Sequence, residues 1–213
     1  MKTPISRGRI GLTQILVIAA LAAALGLWTG SRWMADPAPI SLQTAVMYPS
    51  PLQVGDFSLQ RTDGTPLDQT SLRGHWTIAF FGFTHCPDIC PSTLATFKQV
   101  WAELGKQGFT DRVQFLFVSV DPERDTPEKL ANYVEFFSKE FVAATGPDDQ
   151  LNRLTRALGL IYARDSDPAG GYNVDHSASA VIIDPAGRRA GLFRPPFKAD
   201  VIVSDIQTLV ESR

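Results

Sequence analysis

The sequence predicts an α/β fold, three α/β/α layers around a mixed central sheet, preceded by one apolar helix at the N-terminus. Three observations carry this. Trp76–Phe83 and Val113–Val120 are continuous apolar runs, the mark of strands buried on both faces. Between them, Leu94, Phe97, Trp101 and Leu104 recur at helical spacing, and strands joined by a helical crossover run parallel. Near the C-terminus, Ala178–Ile183 and Leu192-Phe193 flank the turn Asp184-Pro185-Ala186-Gly187, which makes that pair antiparallel.

The first segment stands apart from the fold. Lys2, Arg7 and Arg9 form a basic start over residues 1–9. Residues 10–28 follow, 19 positions without a charge, just long enough to span a bilayer core of about 20 residues. A cleaved secretory signal has the same order of regions but a shorter apolar core, about 7–15 residues. Here the small residues Ala20, Ala22, Ala23 and Ala24 lie inside the run, which favours an uncleaved transmembrane anchor over a signal sequence. Either way, the basic start stays in the cytoplasm and the remainder is exported, with Arg32 a minor count against that orientation. The implied location is the inner (cytoplasmic) membrane, with the soluble domain facing the periplasm or extracytoplasmic side. Residues 29–52, with Pro37, Pro39, Pro49 and Pro51, read as a semi-extended linker, and the domain as 53–213.

Within the domain, Phe57–Gln60 leads into the turn Arg61-Thr62-Asp63-Gly64. The first long strand, Trp76–Phe83, runs into a helix expected from Pro91. The second, Val113–Val120, ends at Asp121-Pro122. Thr126-Pro127-Glu128 is a helix start, a capping hydroxyl followed by proline at the first helical position. Leu130, Tyr133, Val134, Phe137 and Phe141 mark that helix's apolar face. A short helix follows from Asp148, and Val201, Ile202, Ile206, Leu209 and Val210 form a closing amphipathic helix. This order is thioredoxin-like.

Composition excludes several function classes. The net charge is -2, with 20 Lys and Arg against 22 Asp and Glu, so no Lys/Arg excess is available for a nucleic-acid partner. Two cysteines exclude a multi-disulfide scaffold. Both cysteines sit at the end of the first buried strand, in Phe83-Thr84-His85-Cys86-Pro87-Asp88-Ile89-Cys90-Pro91, three residues apart. Each precedes a proline, which pushes it out of the helical region and places Cys90 as a cap. A helix start favours thiolates through its free N–H groups and dipole. Such a pair forms a disulfide or holds a soft metal ion. An inert disulfide is the bland alternative, but so small a loop restrains the unfolded chain little.

A metal needs a further ligand. Met1, Met34 and Met47 all precede the core. His85 adjoins Cys86 and points to the opposite side, and His75 lies at the wrong end of its strand. His176, in Val174-Asp175-His176-Ser177, falls in a loop that a thioredoxin-like sheet turns toward the cysteines. Two thiolates and one imidazole suit Cu(I), which accepts low coordination; structural zinc wants four protein ligands, though zinc with a bound water stays open. Asp88 and Asp121 read as turn and strand-end residues. Thioredoxin-type reductases carry two residues between their cysteines rather than three, and peroxiredoxins carry threonine where Phe83 stands.

These residues resemble the Sco/SenC family of membrane-anchored, thioredoxin-like copper proteins that assist cytochrome c oxidase assembly. The most specific segments are Gly82–Pro91 and Asp175-His176-Ser177, with Ser119–Pro127 also similar. The resemblance implies copper, as Cu(I) or Cu(II), on Cys86, Cys90 and His176, and a redox-active Cys86/Cys90 dithiol/disulfide couple. It implies a metallochaperone whose partners are the copper-binding subunit of the oxidase and other copper or thiol assembly factors. A thiol-disulfide oxidoreductase acting on the same partners is the alternative.

Overall fold

The computed structural model describes residues 11–33, 42–166 and 172–212. The chain divides into two compact units, Met1–Pro39 and Ile40–Arg213. The first contains α1 (Leu12–Trp33), whose Thr13–Gly30 stretch is apolar and long enough to cross a membrane. The basic residues of the predicted cytoplasmic start lie outside the described residues.

In the second unit, β1 (Ala45–Gln53), β2 (Ser58–Arg61) and β3 (Pro66–Asp68) precede the central β4 (Trp76–Gly82). Then come α2 (Ile89–Lys106), β5 (Val113–Ser119), α3 (Pro127–Glu135), β6 (Val142–Thr145) and α4 (Asp148–Ala157). A hairpin of β7 (Tyr162–Ser166) and β8 (Tyr172–His176) leads to β9 (Ala180–Ile183), β10 (Arg188–Phe193) and α5 (Ala199–Glu211). Among the described residues, eight strands form one mixed sheet in the order β1-β10-β9-β4-β5-β6-β2-β3, while β7 and β8 pair only with each other.

Every residue of β4 is buried, as its unbroken apolar run predicts for a strand covered on both faces. It runs parallel to β5, from Trp76 opposite Val113 to Gly82 opposite Ser119, and antiparallel to β9. Rings on one face hold α2 and α3 against the sheet: Phe97 lies 4.9 Å from Phe115, and Tyr133 lies 5.9 Å from Phe117. The α5 helix packs against α2. At the β9–β10 turn the Asp184 carboxylate accepts from the Ala186 and Arg188 amides, and Gly187 takes φ of 76°.

Three expectations need correction. Residues 45–52, read as linker, belong to β1, which pairs with β10, so the folded unit begins before residue 53. Pro49 and Pro51 hide the strand, and pairing tolerates them because β1 is an edge strand with a register shift between Met47 and Leu52. The buried Asp205 carboxylate on α5 anchors its start, accepting from the amides of Gln43, Thr44 and Ala45 at 2.6–2.8 Å. The third helix ends at Glu135; Phe137 and Phe141 are buried from the turn beyond it, and β6 follows at once. His176 is the last residue of β8 rather than part of a loop. The Thr126 cap is as expected, its hydroxyl accepting from the Lys129 amide at 3.3 Å.

Candidate metal centre

Strand β4 delivers the chain to the sheet end at Gly82, and α2 begins seven residues later. The helix starts at Ile89 rather than Pro91, so Cys90 lies in its first turn, not at the cap. Asp88 takes the cap position but makes no side-chain capping bond. Cys90 is fully buried and Cys86 is 9% exposed; both are free thiols. Burial pushes the Cys90 thiol up, helped by the neighbouring Cys86, so at this depth desolvation outweighs the helix-start effect expected from the sequence.

His176 reaches this pair from the end of β8. Its Nε2 stands 3.5 Å from Cys90 Sγ, and single donor atoms of Cys86, Cys90 and His176 all lie within 4.8 Å of one another. The ring's other nitrogen, Nδ1, donates to the Ser177 carbonyl at 3.2 Å. That bond selects the tautomer with a lone pair on Nε2, the atom facing the sulfurs. Desolvation lowers the His176 pKa and keeps the ring neutral, the form a metal requires. Phe80 and Phe83 stand edge-on to the imidazole, each 5.9 Å away, and wall the site with apolar surface. Two soft sulfurs and one imidazole nitrogen, converging beside apolar rings, fit a soft ion of low coordination number.

The structure places the other histidines elsewhere. His85 is exposed and turned toward Thr84 and Lys129, whose ammonium is 3.1 Å from Nε2. His75 is just ahead of β4, at the opposite end of that strand from the cysteines. His85, Asp121 and Asp125 also lie close enough to hold an ion. Their carboxylates, however, are already committed. Asp125 accepts from the Thr84 amide at 2.8 Å, the Thr84 hydroxyl and the Ser119 hydroxyl at 2.6 Å. Asp121 accepts from Arg124 and from the Tyr172 hydroxyl, both at 2.5 Å. Asp121 therefore does more than end a strand, the one role the sequence assigned to it.

Sequence reasoning gave no role to Asp125, Ser119, Arg124, Tyr172 or Gly82. Within Ser119–Pro127 the acidic residues carry no periodicity that marks them as buried. Gly82 is explained only in three dimensions: a Cβ there would lie 2.6 Å from Cys90 Sγ and 3.0 Å from the Phe117 ring. Gly82→Ala is expected to cost about 1–3 kcal/mol of stability and to displace the Cys90 sulfur. A thermal melt together with cysteine-directed metal titration checks this; an unchanged melt and unchanged affinity would contradict it.

The model of the SCO1/SenC family matches residues 47–211. A Stutzerimonas stutzeri protein named for copper binding is 33% identical over 189 residues, covering 89% of this chain and 90% of that one. The apo Sco1 solution structure from Thermus thermophilus aligns with a TM-score of 0.71 at 32% identity, covering 81% of this chain and 99% of that one. ScoI of Bradyrhizobium japonicum with copper bound aligns at 0.67 and 30% identity, covering 74% and 99%. With that match spanning β1 to α5, and these relatives sharing the fold, the chain belongs to the SCO1/SenC family.

Proposed function

We propose that this protein is a copper metallochaperone that delivers copper to the binuclear copper site of a respiratory cytochrome c oxidase. Cys86 and Cys90 serve as thiolate ligands and His176 Nε2 as the third. The observation that carries this reading is the convergence of the three donor atoms within 4.8 Å, from two distant parts of the chain. Copper is the cargo, and the residues' work is to release two thiol protons, hold the neutral imidazole in place and exclude water with Phe80 and Phe83. A copper titration of the reduced, detergent-solubilised chain tests it. His176→Ala is expected to weaken copper binding by at least about tenfold, since it removes a first ligand and outer-shell changes alone cost ~10–100-fold. Equal affinity in wild type and variant would sink the ligand assignment.

A second reading rests on the free, adjacent thiols of Cys86 and Cys90. As a thiol-disulfide oxidoreductase, the dithiol would give two electrons and two protons to a partner's disulfide and become a disulfide itself. That chemistry does not need His176, so dithiol turnover surviving in His176→Ala separates the two readings.

The apolar α1 supports anchoring in the inner membrane with the domain on the periplasmic side. Alkaline phosphatase fused after residue 40 is expected to be active. Inactive fusions would reverse the orientation.

A further inference from the structure

We propose that Tyr172 is a positioning residue for His176, acting as a latch that docks the β7–β8 hairpin on the Asp121–Arg124 loop. The inference rests on the copper reading above and adds a device that controls the third ligand.

The hairpin is not part of the eight-stranded sheet. A lone two-stranded ribbon is at best marginally stable, so its place depends on what its side chains grip. Strand alternation puts Tyr172, Val174 and His176 on one face of β8. Each of the three makes an inward attachment. His176 reaches Cys90, and Val174 is buried in the core. Tyr172 is held in three ways. Its hydroxyl donates to Asp121 Oδ1 at 2.5 Å, its carbonyl accepts from Arg124 Nη1 at 3.1 Å, and its ring lies 4.0 Å beneath the Arg124 guanidinium. Asp121 and Arg124 are themselves paired. On the opposite strand, Arg164 donates to the Val120 carbonyl at 2.9 Å, so both strands of the hairpin are referenced to the same segment.

That segment also holds the cysteine side of the site. The Asp121 amide donates to Ser119 Oγ, Ser119 donates to Asp125, and Asp125 accepts from the Thr84 amide two residues before Cys86. Arg124 further lies 5.7 Å from the ring of Phe83, which stands against His176. One polar chain, buried at Ser119, Asp121 and Asp125, thus sets the cysteine loop and the histidine strand relative to each other. Networks of this kind act as a unit, and loss of one member loosens the rest. Burial and the Asp121 carboxylate push the Tyr172 phenol up to about 12, so it remains a donor throughout the physiological range.

The test is a double-mutant cycle in the full-length chain with Tyr172→Phe, His176→Ala and the double variant. Copper(I) affinity is read by competition with a chromophoric chelator. Amide exchange at Val174 and Asp175, and the Cys86/Cys90 midpoint potential, are read in the metal-free protein. Tyr172→Phe keeps the ring beneath Arg124 and removes only the hydroxyl. It is expected to weaken copper about tenfold, in the range of outer-shell losses, to speed exchange in β8, and to leave the dithiol potential unchanged. In the His176→Ala background it should add nothing. Wild-type affinity or exchange in Tyr172→Phe, or additive losses in the double variant, would overturn the latch while leaving the copper reading intact. Wild-type affinity in His176→Ala would overturn both.

Discussion

Replacing either cysteine by serine should abolish tight copper binding, the largest effect expected at this site. Serine is close in size and keeps the position filled, but its oxygen is a hard, protonated ligand that a soft ion does not favour. The loss should exceed about 100-fold, above the ~10–100-fold typical of outer-shell changes. His85→Ala should bind like wild type, because its ring faces Thr84 and Lys129 rather than the thiols. Affinity should also depend on pH with a definite sign. Burial holds the Cys90 thiol up, so in the metal-free site Cys90 is protonated at neutral pH and loading expels its proton. Raising the pH removes that competition, so apparent affinity should rise by about tenfold per pH unit for each proton released. A chelator competition series from pH 6 to 8 measures both results. Tight binding by Cys90→Ser, or affinity that falls as pH rises, would refute the ligand set.

Asp205→Ala should produce the largest loss of stability outside the metal centre. Asp205 is 1% exposed and accepts from three consecutive amides, Gln43, Thr44 and Ala45, and from the Thr44 hydroxyl at 3.0 Å. Alanine leaves those donors without an acceptor where the chain enters β1. Hydrogen bonds to a charged group contribute about 1.5–3 kcal/mol each, but the freed segment is half-exposed and recovers water. The net cost is about 3 kcal/mol, equivalent to a melting point lower by roughly 6–12 °C for a domain of this size. Asp205→Asn keeps one acceptor oxygen and should lose less. Amide exchange should quicken first at Thr44 and Ala45. A variant melting within about 2 °C of wild type would show that β1 is held by its pairing with β10 alone.

How much of this was legible before the structure depended on whether a residue's role was local. The β4 run and the Thr126-Pro127 helix start announce themselves within a few positions, and both stand where the sequence put them. The spacing of Cys86 and Cys90 pointed to chemistry at a helix start, and the order of strands drew His176 to the same end of the sheet. By contrast, β1 carries two prolines and owes its place to Asp205, 160 residues away from Ala45. The β7–β8 hairpin is mostly polar, and beside the buried Val174 it docks through the polar contacts of Tyr172 and Arg164, so no apolar stripe marks it in the sequence. The depth of Cys90 could not be read either: helix-start chemistry suggests a ready thiolate, while its burial beside Gly82 removes it from water.

The two margins of the main sheet bear on how a second protein can approach. Among the described residues, one margin is β1, interrupted by Pro49 and Pro51 and by a register shift, and the other is β3, three residues beginning with Pro66. Proline presents no N–H, and a short or broken strand offers no continuous row of backbone groups to copy. Strand addition, one way for an extended peptide to dock on a sheet, is therefore disfavoured at both margins of this sheet, so a partner that reads the protein through the main sheet has to use side chains rather than copied backbone.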